Sequence, residues 1–338
     1  MRTLSRIGAL GLAAAFMAVA SGCDVSAPIT PARVDVPLPE GFEPLPVPQQ
    51  NPLRPERVAL GERLFFDPLL SRDQTISCGT CHLPELAFSD GETKSTGVEG
   101  RLGLRNSPSL LNVAYRPLLF WDGGALFLEG QALVPLEDER EMDVSIDTVL
   151  ARLRADASYT HQFEEAFDGE GPTIQTFTYA LAAFQRTIVS APTRFDAHRA
   201  GDTSALTATE QHGLELFDVH CQACHAGPLL TSNGYQNNGV TVTDDDPGRE
   251  RITHDVADRG RFRVPSLRGV AGTAPYFHDG RFATLDDVVD HYDRGGDGTP
   301  GQSTEVRPLR LTEAERSALV AFLKTLDDQP APIDRTIP

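Results

Sequence analysis

Cysteine and histidine carry the most legible chemistry in this chain, because four of its five cysteines fall into two identical spacings. These are Cys78-Gly79-Thr80-Cys81-His82 and Cys221-Gln222-Ala223-Cys224-His225. Two thiols three positions apart can add to the two vinyl groups of one porphyrin. The adjacent imidazole then reaches the iron as proximal ligand. A zinc site or a pair of disulfides is the competing use of four cysteines, but a histidine follows each pair directly. The chain therefore reads as carrying two covalent c-type haems, one on Cys78, Cys81 and His82, the other on Cys221, Cys224 and His225.

The two motifs belong to a duplicated unit. Gly61-Glu62-Arg63-Leu64-Phe65 precedes the first, and Gly213-Leu214-Glu215-Leu216-Phe217 precedes the second. Downstream, Pro108-Ser109-Leu110 matches Pro265-Ser266-Leu267, and Phe120-Trp121-Asp122-Gly123 matches Phe277-His278-Asp279-Gly280 at the same spacing. This repetition predicts a mainly α fold of two homologous c-type cytochrome domains, 56–195 and 196–330, each binding one covalent haem.

The same register makes the two irons unequal. Tyr292 lies fourteen residues after His278, and Pro135 lies fourteen after Trp121. Proline has no side-chain donor atom, so Tyr292 can cap the second haem while the first stays open to a small ligand. Beyond the leader only Met142 remains as a methionine, in the first half, which disfavours a methionine cap on the second haem. Near the open site, Gln131 can orient a bound ligand. Glu141 can move the proton that lets a peroxide bond break, although its acidic neighbours from Glu137 to Asp143 also suit plain solvent exposure. His161, His198, His212, His220, His254 and His291 read as structural or exposed, with His291 the rival ligand beside Tyr292.

Helices must position these groups. Thr173 to Ser190 puts Ile174, Phe177, Leu181, Phe184 and Ile188 on one face. Thr207 with Glu210 and Thr312 with Glu315 have capping-box spacing, Thr284 can cap a short helix carrying Tyr292, and Leu319, Leu323 and Leu326 form the last apolar stripe. Arg2 and Arg6 precede an apolar run ending at Ala20, as in an export signal covering 1–22. Ala20-Ser21-Gly22-Cys23 resembles a lipoprotein processing site, so Cys23 is an expected lipidation site and 23–55 a Pro-rich tether. The expected location is the periplasm or cell envelope, held by lipid alone. Thirty basic against 48 acidic residues, net −18, argue against nucleic acid as partner.

Over nearly all of the mature chain the sequence resembles the bacterial dihaem cytochrome c peroxidase and MauG superfamily. The resemblance rests on both haem motifs, Ala87-Phe88-Ser89-Asp90-Gly91, Arg105-Asn106-Ser107-Pro108, Phe120-Trp121-Asp122-Gly123 and Ala274-Pro275-Tyr276-Phe277-His278-Asp279-Gly280. It implies that Trp121 couples the haems, that Gln131 and Glu141 are the distal pair, and that Asn106, Thr273 and Pro275 hold calcium, the last two through backbone carbonyls. Tyr292 stands where the peroxidases have methionine, and no histidine occurs from Leu83 to Asn112. That arrangement is similar to MauG and MbnH-like enzymes, which use hydrogen peroxide to reach a bis-ferryl-type state and oxidise residues of a partner protein. The alternatives are a cytochrome c peroxidase fed by a small redox protein, and a non-catalytic electron-transfer cytochrome.

Overall fold

The computed structural model describes residues 33–243 and 245–327. The expected leader and Cys23 lie outside the described residues. The longer helices are α1 (Pro55–Phe66), α2 (Ile146–Ala155), α3 (Ala157–Ala166), α4 (Ile174–Arg186), α5 (Ala208–His220), α6 (Leu285–Asp293) and α7 (Glu313–Lys324). Strand structure among the described residues is a short antiparallel pairing of Tyr235–Gln236 with Phe262–Arg263.

Local chemistry explains where the helices begin. Thr173, Thr207, Thr284 and Thr312 each accept from the backbone N–H three residues on, and each is answered by a side chain at that position, Thr176, Glu210, Asp287 and Glu315. Phe177, Leu181, Phe184 and Ile188 are buried as the periodicity predicts. Ile174, in the first turn of α4, is not, at 47% exposed. α4 also stops at Arg186 rather than Ser190, where Thr187 turns its N–H back on the carbonyls of Phe184 and Gln185.

The apolar core falls into two clusters, from Leu53 to Ile188 and from Phe195 to Leu326. Each is organised by the same helix crossing. A Cβ on Gly61 of α1 would lie 1.9 Å from the Ala180 carbonyl oxygen of α4, and one on Gly213 of α5 would lie 2.0 Å from that of Ala318 in α7. Glycine is needed at both places because backbone meets backbone. One turn on, Phe65 meets Phe184 and Phe217 meets Phe322, each pair with ring centres 5.1 Å apart.

From Arg33 to Arg54 the chain is extended, as its prolines require, but it is packed rather than free. Val34, Val36, Leu45 and Val47 lie on the first core, Arg186 donates to the Pro46 carbonyl, and Arg268 of the second half stacks over Phe42 at 4.7 Å.

Gly213→Ala is expected to lower stability by about 1–3 kcal/mol through overpacking, read as a lower urea midpoint by circular dichroism. An unchanged midpoint would count against the close crossing.

Candidate functional site

In the first motif, Ser77 and Thr80 cap the single turn Cys78–Cys81, which delivers His82 at its end. The His82 Nδ1 lies 2.8 Å from the Phe88 carbonyl, and the His225 Nδ1 lies 3.1 Å from that of Leu230. A ring whose Nδ1–H is donated keeps its Nε2 lone pair for a metal. Both acceptor residues have left-handed backbone, φ 60° at Phe88 and 52° at Leu230, an uncommon conformation for bulky side chains that aims each carbonyl at its imidazole. Phe88 and Leu230 thus hold the two imidazoles through their carbonyls, a contact that motif reading does not show. Burial lowers the pKa of both rings, His225 to about 4, so they are neutral donors. No disulfide joins these four cysteines, and burial pushes the thiols of Cys78, Cys81 and Cys221 up to about 12. Paired cysteines without a disulfide, beside a neutral, tautomer-set imidazole, fit a covalent haem at each motif.

A cavity of ≈ 230 Å³ opens on the first motif. Its walls bring together Cys78, Cys81, His82, Trp121, Gln131, Pro135 and Glu141. Glu141 lines this cavity and is exposed; partial desolvation by the protein around it, then the charge of Asp138, pushes its carboxyl up to about 7. Its backbone is held on both sides, the N–H by the Asp138 carbonyl at 3.0 Å and the carbonyl by the Val98 N–H at 2.9 Å. Met142 also lines the cavity, packed into the first core.

In the second half, α6 carries Tyr292, whose ring packs against Phe277 and His291. Burial pushes the phenol above its ordinary value, and a hydrogen bond from the Asn238 side chain works against that rise. His291 is excluded as a rival ligand by its partners. It is fully buried, with Nε2 2.8 Å from the Asn238 carbonyl and Nδ1 3.0 Å from Arg294. His291 thus fixes the loop that carries Asn238 toward Tyr292.

Between the motifs, Trp121 lines both the first cavity and a second one of ≈ 80 Å³. It also stitches the halves together. Its Nε1 donates to the Asn106 carbonyl at 2.9 Å, its own carbonyl accepts from the Arg263 N–H at 2.7 Å, and the Asn106 N–H donates to the His278 carbonyl at 2.8 Å. Asn106, Thr273 and Pro275 meet in the wall of the smaller cavity. The Asn106 amide nitrogen is tied to the Glu92 carbonyl at 2.8 Å, which leaves Oδ1 to face a ligand. Among the described residues no cluster of three or more His, Cys, Asp or Glu could hold a bare metal, so a cation there would rest on amide and carbonyl oxygens.

Comparison with known proteins agrees with this geometry. The family described as di-haem cytochrome c peroxidase matches residues 55–204, and the cytochrome c family matches 211–327. The chain is 43% identical over 297 residues to the methylamine utilization protein MauG of Methylorubrum extorquens, covering 86% of this chain and 84% of that one. The chain belongs to the dihaem cytochrome c peroxidase and MauG family. It is also 36% identical to cytochrome c551 peroxidase of Nitrosomonas europaea, covering 84% of each chain. A crystal structure of a MauG-like protein associated with microbial copper homeostasis superposes with TM-score 0.83 at 35% identity, over 89% of this chain and 98% of that one. As a member of the family the protein is a haem oxidoreductase with two covalent c-type haems in two cytochrome c-type domains.

A Cys78→Ser, Cys81→Ser double variant is expected to keep one covalent haem of the two by intact-mass spectrometry. Retention of both would remove these cysteines from haem attachment.

Proposed function

We propose that this dihaem enzyme uses hydrogen peroxide at the first haem site and oxidises a partner protein, with Tyr292 capping the second haem. The observation that carries this reading is the inequality of the two sites. Pro135 stands with Gln131 and Glu141 in the wall of the first cavity, while α6 carries Tyr292 at the repeat-related position of the second half. Cys78, Cys81 and His82 would hold the haem at this site, which would supply the redox chemistry that consumes peroxide.

The chain's own residues supply the rest. With its carboxyl near 7, Glu141 is partly ionised at neutral pH, so it can take a proton from one peroxide oxygen and return it to the other. The Gln131 amide donates to the bound ligand and orients it. Trp121, held by Asn106 and packed between the two halves, bridges the sites electronically. Asn106, Thr273 and Pro275 would take calcium and hold the halves in register around it.

The partner is read as a protein substrate or small redox protein, met in the periplasm or at the cell envelope, with an export leader at 1–22 and a lipid anchor on Cys23. Among the described residues no helix is long and apolar enough to cross a membrane. A second reading, cytochrome c peroxidase, is favoured by relatives bearing that name. It predicts rapid turnover with a reduced small cytochrome after prior half-reduction.

Resting-state EPR is expected to give one high-spin and one low-spin ferric signal, with the low-spin signal altered in Tyr292→Phe. Two low-spin signals in the wild type would overturn the open first site. The peroxide reaction should quicken as pH rises through about 7, because Glu141 works as a base only when ionised. Glu141→Gln is expected to slow that reaction by about 10²–10⁴-fold and to flatten the pH profile. A variant with the wild-type rate and profile would remove Glu141 from the proton path.

A further inference from the structure

The smaller cavity carries a charge imbalance that its own walls do not correct. Arg116, Arg263 and Arg268 line it, together with no aspartate or glutamate. Arg268 is answered elsewhere, gripping the two Asp196 carboxylate oxygens at 2.7 and 2.8 Å. The other two have only neutral partners. Arg116 donates to the carbonyls of Ser109 and Leu111 at 2.5 and 3.2 Å, and Arg263 to those of Phe120 and Val264 at 3.3 and 3.4 Å. Among the described residues no ion pair joins either to a carboxylate, although Arg263 is only 2% exposed.

Burial, and then the charge of Arg263, push the Arg116 guanidinium well below its ordinary value, and burial lowers Arg263 to about 10. A guanidinium does not give up its proton in a protein, so two of them lining one cavity without a carboxylate call for an anion there. The internal repeat sharpens the argument. With Pro108 set on Pro265, Asn106 falls on Arg263 and Arg116 falls on Thr273. The two arginines thus occupy the repeat-related positions of two residues expected to hold a cation, and all four line the same cavity. Fixed positive charge and a cation-binding set in one enclosed space require negative charge from outside the polypeptide.

We infer that Arg116 and Arg263 form a carboxylate clamp for haem propionates in the cavity between the two haem motifs. Thioether attachment consumes the vinyl groups and leaves the propionates free, so each covalent haem brings two ionisable carboxylates. Arg donors suit them because the planar guanidinium matches a carboxylate in shape and charge. The clamp rests on haem attachment at the two motifs and not on capping by Tyr292 or on peroxide chemistry, so either can fail without the other. Its effect is to keep the propionates ionised and, through the retained positive charge, to favour the reduced haem.

The test is spectroelectrochemical titration of both haems in the holoprotein against pH, for the wild type, Arg116→Gln, Arg263→Gln and the corresponding lysine variants. The glutamine variants are expected to lower the midpoint potential of at least one haem. They should also make it depend on pH across the acid to neutral range, as a released propionate begins to titrate, while lysine restores the wild-type behaviour in part. Glutamine variants that load both haems and keep wild-type potentials and pH independence would overturn the clamp. If the glutamine variants fail to load haem, loading restored by lysine supports the charge role, and equal failure with lysine overturns it. Adding inorganic phosphate separates the sources of the anion. Wild-type potentials that ignore phosphate support propionates, and potentials that move with phosphate only when both arginines are present would assign the site to a diffusible anion instead.

Discussion

Backbone contact at Gly61 with Ala180, repeated at Gly213 with Ala318, sets the separation of two helices in each half, and the haem motifs inherit their positions from it. α5 runs straight into Cys221, and α1 ends a short loop before Cys78, so a change in either crossing would displace a proximal histidine. Because carbonyl and Cα meet without a side chain between them, the crossing is both close and poorly adjustable. The phenylalanines one turn on then fill the space beside each motif.

On that repeated frame the two sites diverge through a few substitutions. The imidazole of each motif is set by a left-handed residue whose carbonyl holds Nδ1, so the proximal sides are alike. The far sides are not. Pro135 and the raised carboxyl of Glu141 face one cavity, while in the second half α6 carries Tyr292 and His291, and His291 holds the loop bearing Asn238.

The seam between the halves is polar, and hydrogen bonds rather than a shared apolar core define it. Trp121 accepts from Arg263 through its carbonyl and donates to Asn106 through its indole, and Asp122 beside it is wholly buried under Arg105 and Arg251. Buried polar groups arranged in this way select one geometry, since any other leaves them unsatisfied. The strap from Arg33 to Arg54, touching Arg186 on one side and Arg268 on the other, adds a second connection.

Covalent chemistry and local hydrogen bonding were legible in the order of residues alone. C-x-x-C-H needs only neighbours in sequence, capping boxes close over three residues, and the repeat shows itself by spacing, so haem number and helix starts could be read directly. Other features depend on residues far apart in the chain. The partners that use up both nitrogens of His291, the raised carboxyl of Glu141, the meeting of Asn106 with Thr273 and Pro275, and the uncompensated pair Arg116 and Arg263 are decided only when the halves pack. Burial and electrostatic environment belong to the folded surroundings of a group, and a linear sequence names the group without its surroundings.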